Sequence, residues 1–232
     1  MPCRTFSIAS TTPSKPTTRR PLEITARAIL FDNDGVLVNS HAESSVAWQQ
    51  LCSEFGMDFD VVSKEFVGRR AEDTLAEFVE PARLADAIDR LEDLEVEAAI
   101  HTPLMPRADL FLAALGESPW AVVTSASRRL AEARWKAAGI DAPATVTADD
   151  VSSGKPSPEP YLTGAARLGV DPKDCLVFED SVAGYRAGVA AGARVIAIGD
   201  VPWPEEPLAR IHSYADLVDV QTSVDGVSFR VV

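Results

Sequence analysis

Two carboxylates one residue apart, Asp32 and Asp34, stand at the end of the apolar run Ala28, Ile29, Leu30, Phe31 and are followed by Gly35. The run reads as a buried strand. Side chains alternate across a strand, so Asp32 and Asp34 project the same way at its carboxyl end. Crowded carboxylates repel unless a cation or a shared proton separates them. The pair therefore suits a metal ion and a reaction that needs one nucleophile and one acid/base. In a chain with 35 acidic residues such pairs arise by chance, so the weight falls on what accompanies this one.

Three other segments carry matching chemistry. Thr124, Ser125, Ala126 and Ser127 follow the apolar run 120–123 and offer hydroxyls and free N–H groups at a helix start, which is an anion site. Taken alone, those hydroxyls are helix caps. Ser153, Gly154, Lys155 and Pro156 follow the run 144–147; the residue before a proline is pushed toward extended backbone, which aims Lys155 away from the turn. Taken alone, Lys155 is a surface lysine. Phe178, Glu179, Asp180 and Ser181 bring a second acidic pair to a helix start, where Asp also serves as a cap. Together the segments supply paired carboxylates, hydroxyls with amides, one ammonium and further carboxylates for a hard cation. Mg²⁺ prefers oxygen ligands and pairs with a substrate phosphate.

The elements that must position these groups follow a rhythm. Apolar runs at 28–31, 120–123, 144–147, 175–178 and 194–198 alternate with helical segments at 128–138, 158–168 and 182–191. Such alternation predicts an α/β fold, a Rossmann-like doubly wound parallel sheet, whose ligands bind beyond the carboxyl ends of the strands. Residues 41–105 break the rhythm: Leu84, Ile88, Leu91 and Leu94 recur at helical spacing, and acidic residues crowd between Glu72 and Glu97. This predicts an inserted all-helical cap over 41–105, a core formed by 25–40 and 106–232, and a disordered or loosely attached extension over 1–24. The extension is basic, rich in Ser, Thr and Pro, and free of Asp and Glu as far as Arg20. It reads as a dispensable tail in preference to a transit peptide.

Of the 232 residues 46% are hydrophobic and 25% charged, ordinary for a globular protein, and no run of about twenty apolar residues predicts a membrane span. A net charge of −13 argues against nucleic acid, whose affinity comes from Lys and Arg on phosphates. The partner expected is a small phosphorylated metabolite. Cys3, Cys52 and Cys175 show neither pairing nor metal-ligand spacing, and Cys175 reads as a small buried hydrophobe. A cytoplasmic location is expected. The choice between monomer and homodimer has no signature here.

The four segments resemble the haloacid dehalogenase-like (HAD) superfamily of phosphatases and phosphomutases. The residues that carry the resemblance are Asp32–Asn33–Asp34–Gly35–Val36–Leu37, Val123–Thr124–Ser125, Gly154–Lys155–Pro156 and Phe178–Glu179–Asp180–Ser181. The insert, with Val67–Gly68–Arg69–Arg70 at its centre, resembles the helical cap of the sugar and polyol phosphatase and beta-phosphoglucomutase-like branch. The resemblance implies a Mg²⁺-dependent phosphoric monoester hydrolase acting on a small sugar or polyol phosphate. Asp32 is then the nucleophile that forms an aspartyl-phosphate, and Asp34 the acid and later the base. Mg²⁺ lies on Asp32, the Asp34 backbone carbonyl and Asp180, with Glu179 bound directly or through water. Thr124, Ser125, the Ala126 amide and Lys155 bind phosphate, and Arg70, ahead of Arg69, touches substrate from the cap. Trp48 is expected in the cap core more than as a sugar platform, and His41 and His101 as surface or hinge residues without a role.

Three positions depart from the family's pattern. Ser44 stands where phosphomutases of this branch carry a His, four residues beyond the hinge residue Ser40, which favours hydrolysis over isomerisation. Arg107 stands where relatives usually place Gly, and Asn39 replaces the commoner Asp. A sugar phosphomutase and a catalytically silent phosphate-binding protein are the alternatives. A dehalogenase has no use for Asp34.

Overall fold

The computed structural model describes residues 21–232. Most of the extension read over 1–24 lies outside the described residues, as does Cys3. Its last part does not: Leu22–Ala26 form strand β1, so residues 22–24 belong to a sheet rather than to a loose tail.

The central layer is a six-stranded, all-parallel sheet. Its strands are β2 (Ala28–Phe31), β3 (Trp120–Val123), β4 (Thr145–Val146), β5 (Cys175–Glu179), β6 (Arg194–Ile198) and β7 (Ala209–Ile211), in the order β4-β3-β2-β5-β6-β7. Alternation decides which side chain goes where. Ile29, Phe31, Val122, Leu176 and Phe178 face one core with Phe111 and Leu115 of α5 (Ala108–Leu115) and Trp135 of α6 (Arg128–Ala138). Ala28, Leu30, Ala121, Val123 and Val177 face the other, with Tyr161 and Ala165 of α7 (Glu159–Leu168) and Tyr185 and Ala187 of α8 (Val182–Ala190). Burial on both faces explains why these strands read as unbroken apolar runs.

A second sheet went unread in the sequence. Strands β8 (Leu217–Ser223) and β9 (Gly226–Val231) form a hairpin, and β1 pairs antiparallel with β9. Ile24, Val227 and Phe229 from this sheet pack into the first core, where Phe229 meets Phe111 edge-on at 5.7 Å between ring centroids.

Between β2 and α5 the chain leaves the sheet and forms α1 (His41–Phe55), α2 (Phe59–Val62), α3 (Ala71–Leu75) and α4 (Leu84–Ala99). This helical insert has its own core of Trp48, Leu51, Val62, Leu75, Leu91 and Leu94. Its outgoing and returning linkers run side by side: the Asn39 N–H donates to the Pro103 carbonyl and the Met105 N–H to the Leu37 carbonyl, each at 2.8 Å. Among the described residues, no helix is long and apolar enough to cross a membrane.

Arg107, at the end of the returning linker, precedes α5 with φ 65, a left-handed conformation. That region disfavours any residue with a Cβ. Arg107→Gly is expected to stabilise the fold by about 1 kcal/mol, read as a rise in melting temperature of about 2–4 °C. An unchanged or lower melting temperature would show that contacts of the Arg107 side chain compensate the strain.

Candidate active site

Three adjacent strands deliver groups to the site. β2 lies between β3 and β5, although the chain visits β3 next and β5 much later, so the direction of winding reverses at β2. Loops part at such a point and leave a crevice beyond the carboxyl ends of the strands. Asp32 follows β2, Thr124 and Ser125 follow β3, and Glu179 ends β5. The Asp32 N–H donates to the Phe178 carbonyl at 3.0 Å, which carries the β2–β5 pairing through to the first carboxylate. The intervening Asn33 is fully buried, and its Oδ1 accepts from Trp135 Nε1 at 3.0 Å.

Lys155 joins the two halves of the site. Its side chain is fully buried, and Nζ donates to Asp32 Oδ1 and Glu179 Oε1, both at 2.6 Å. Burial works against its charge, but the carboxylates of Asp32 and Glu179 override it and hold the ammonium's pKa above the ordinary lysine value. Glu179 is heavily engaged: Oε1 also accepts from the Tyr161 hydroxyl at 2.7 Å, and Oε2 accepts from the Asp180 N–H, the Ser181 N–H and the Ser181 hydroxyl.

One carboxylate oxygen from each of Asp32, Glu179 and Asp180 lies within 4.8 Å of the others. Burial pushes the Asp32 carboxyl well above its usual range; Lys155 pulls it down, and Glu179, Asp180 and Asp34 push it up again. One ammonium is too little positive charge for this trio. The donors are hard oxygens; on Asp32 Lys155 engages Oδ1 and on Asp180 His41 engages Oδ2, so the other oxygen of each is open to a cation among the described residues. Such a set fits a small divalent cation of the Mg²⁺ type.

Asp34 is placed differently. Its carboxylate stands outside that trio; its Oδ1 accepts from the Ser40 hydroxyl at 2.5 Å and forms an ion pair with Arg134 Nη1 at 2.9 Å. Thr124 Oγ1 approaches Asp34 Oδ2 at 3.4 Å and also accepts the Ala126 N–H at 3.1 Å. Ser125 donates to the Gly68 carbonyl in the insert at 2.9 Å. Two groups expected to hold phosphate, the Ala126 amide and the Ser125 hydroxyl, thus have protein partners in this arrangement.

The insert sits directly on the site. A Cβ on Gly68 (φ +76) would come within 2.1 Å of the Ser181 hydroxyl, and one on Gly154 within 2.6 Å of Arg70 Cγ. The missing side chains are what let the two layers meet. Arg70 lies in this contact, bidentate to Asp73 at 2.7 and 2.8 Å, paired with Glu72 at 2.9 Å, and 3.5 Å from the Val151 carbonyl. Between the layers remains a cleft of about 510 Å³, lined by Asp32, Asp34 and Asp180 together with Trp48, Phe66 and Ile88 of the insert. Trp48 both packs in the insert core and lines the cleft, stacked on Phe66 at 4.7 Å.

His41 had no expected role, yet its Nε2 lies 2.8 Å from Asp180 Oδ2. His101 is exposed and stays without one. Arg134 escaped sequence reasoning altogether.

Residues 26–192 match the model of the haloacid dehalogenase-like hydrolase family. The chain belongs to that family. It is 38% identical over 196 residues to hexitol phosphatase A of Escherichia coli, an alignment covering 81% of this chain and 91% of that protein. It is 35% identical over 198 residues to glycerol-1-phosphate phosphohydrolase 2 of Saccharomyces cerevisiae, covering 78% of each chain. In fold it is similar to CbbY from Rhodobacter sphaeroides in complex with phosphate, with a TM-score of 0.72, 23% identity, and coverage of 82% of this chain and 96% of that one. Within the HAD-like hydrolases, this chain is a phosphoric monoester hydrolase.

Proposed function

We propose that this hydrolase releases inorganic phosphate from a small sugar or polyol monophosphate whose alcohol portion is uncharged, with Mg²⁺ as its cofactor. The observation that carries the reading is the meeting of Asp32, Asp34 and Asp180 at one cleft, with Lys155 buried against Asp32, and the lining arginines of that cleft are all neutralised. Arg69 pairs with Glu65 and Glu77, Arg70 with Glu72 and Asp73, and Arg134 with Asp34 and Glu95. A second phosphate or a carboxylate on the substrate would meet carboxylates without a spare cation among the described residues lining the cleft, whereas hydroxyls can bond to these groups without charge repulsion. The relatives named for hexitol and glycerol 1-phosphate point the same way.

In the reaction an Asp32 oxygen attacks phosphorus as the bond to the ester oxygen breaks, and Asp34 gives that oxygen a proton. Water then attacks the aspartyl-phosphate, Asp34 takes a proton from it, and Asp32 leaves as a carboxylate. Lys155 holds Asp32 in place and offsets charge on the phosphoryl oxygens. Asp32, Asp180 and the Asp34 carbonyl would hold Mg²⁺, with Glu179 orienting the set from behind. When bound, the cation supplies charge neutralisation at the phosphoryl group. Ser125 and Ala126 would exchange their present partners for phosphate, Thr124 would support them, and the insert would act as a cap that excludes water. Arg70, fixed by Glu72 and Asp73, would meet substrate hydroxyls from that cap.

The test is phosphate release from glycerol 1-phosphate, a hexitol phosphate, phosphoglycolate and a sugar bisphosphate, with Mg²⁺ and with chelator. The uncharged alcohols are expected to exceed the anionic ones by about tenfold or more in kcat/KM, a gap of about 1.4 kcal/mol. Chelation is expected to abolish turnover, with recovery on adding Mg²⁺. An isomerised product without phosphate release would establish the phosphomutase alternative, whose extra acid/base has no counterpart at Ser44.

A further inference from the structure

Arg134 is a buried guanidinium on α6, 4% exposed, that joins three groups from two layers. Nη1 lies 2.9 Å from Asp34 Oδ1 on the core side. Nη2 donates to the Ser44 hydroxyl at 2.7 Å and to Glu95 Oε1 at 3.2 Å, on helices α1 and α4 of the insert. Ser44 in turn donates to the same Glu95 oxygen at 2.8 Å. Glu95 is itself buried, and burial raises its pKa against the pull of Arg134.

As a mere fastener this is a poor design, because apolar residues of similar volume often hold two layers together as well as a buried ion pair does. What the ion pair adds is direction. Ser40 and Arg134 both occupy Oδ1 of Asp34, whereas among the described residues Oδ2 has only the long 3.4 Å approach of Thr124. Oδ2 is therefore the oxygen left to carry a proton to the ester oxygen. Two of the partners that aim the guanidinium belong to the insert, so the aim depends on the insert being docked.

We propose that Arg134 is a positioning residue: steered by Glu95 and Ser44 of the docked insert, it fixes Asp34 with Oδ2 toward the scissile bond. The proposal rests on the reading of Asp34 as the acid that protonates the leaving alkoxide.

Leaving-group dependence tests it. The ratio kcat/KM reports the steps up to formation of the aspartyl-phosphate. A nitrophenolate leaves without a proton, whereas a polyol alkoxide needs one. Arg134→Met is expected to lower kcat/KM about 100-fold or more for glycerol 1-phosphate and less than about fivefold for nitrophenyl phosphate, since a positioned general acid contributes about 10²–10⁴. Arg134→Lys is expected to recover about tenfold on the polyol ester, because an ammonium keeps the charge but not the fork. Glu95→Gln, which keeps the side chain's shape, is expected to show the same split at about tenfold.

Equal losses on both esters in Arg134→Met and Glu95→Gln would overturn the proposal. If Arg134→Met does not fold, Glu95→Gln alone decides in the same way. Asp34→Asn separates this failure from a failure of the underlying reading. A split in Asp34→Asn without one in the other variants removes only the role of Arg134, and no split in Asp34→Asn removes the acid assignment as well.

Discussion

Replacing Lys155 by Met is expected to lower kcat/KM for phosphate release by about 10³-fold, the scale seen when one preorganised charge is taken from a transition state. The same change is expected to destabilise the protein by about 3–5 kcal/mol, because removing one partner leaves buried charge uncompensated. Nζ is the group shared by Asp32 and Glu179 at 2.6 Å, and both carboxylates are buried. Without it, two carboxylates face each other with the Tyr161 and Ser181 hydroxyls and local N–H groups as support. A melting temperature lower by about 10 °C would follow for a chain of this size.

The stability loss also has a distinguishing signature. A cation that binds only the folded state stabilises by mass action. In Lys155→Met the acidic trio lacks its resident ammonium, so Mg²⁺ is expected to raise the variant's melting temperature more than that of the unaltered enzyme. Thermal melts with and without Mg²⁺ read this directly. A variant that melts normally and responds to Mg²⁺ no more than the parent would show that Lys155 does not neutralise the trio.

How far the site was legible depended on whether a residue's role was local. Asp32, Asp34 and Lys155 each follow a strand directly or within one loop, and Glu179 ends one, so strand order brings them together. The runs at 120–123 and 194–198 match β3 and β6 residue for residue because both faces of those strands are buried. The read strand 144–147 shrinks to Thr145–Val146, since Thr147 leaves the ladder to cap a short helical turn with Asp150.

The second sheet had a local signal that went unused. Asp225–Gly226 is a hairpin dipeptide, and Val227 and Phe229 alternate with Ser228 and Arg230 beyond it. β8 is harder to read, because it is mostly polar and broken by a register shift near Asp219, which has φ 54. Arg134 had no local signal at all. It sits among Arg128, Arg129 and Lys136 on one helix, and only the packing of α6 against α4 selects which of these cations is buried. The contact between His41 and Asp180 likewise spans 139 residues and depends on where the linker enters the insert.

Asp32→Asn is expected to reduce turnover by about 10⁴-fold or more, as loss of a covalent nucleophile does elsewhere. An amide oxygen is too weak a nucleophile to displace an alkoxide from phosphorus, and several neighbouring carboxylate oxygens are committed to other partners. Glu179 is occupied by Lys155, Tyr161 and Ser181, and the Oδ1 of Asp34 by Ser40 and Arg134. The substitution preserves size and removes one negative charge from a buried cluster, so the fold is expected to survive it. Lys155 keeps Glu179 as its partner. Substrate affinity is expected to hold or improve, because one fewer carboxylate opposes the incoming phosphate. The measurements are phosphate release, substrate binding by calorimetry, and mass spectrometry of acid-quenched enzyme, which in the parent alone is expected to show one added phosphoryl group. An Asp32→Asn enzyme that keeps more than about a hundredth of parental turnover, or that still acquires the phosphoryl group, would place the nucleophile elsewhere.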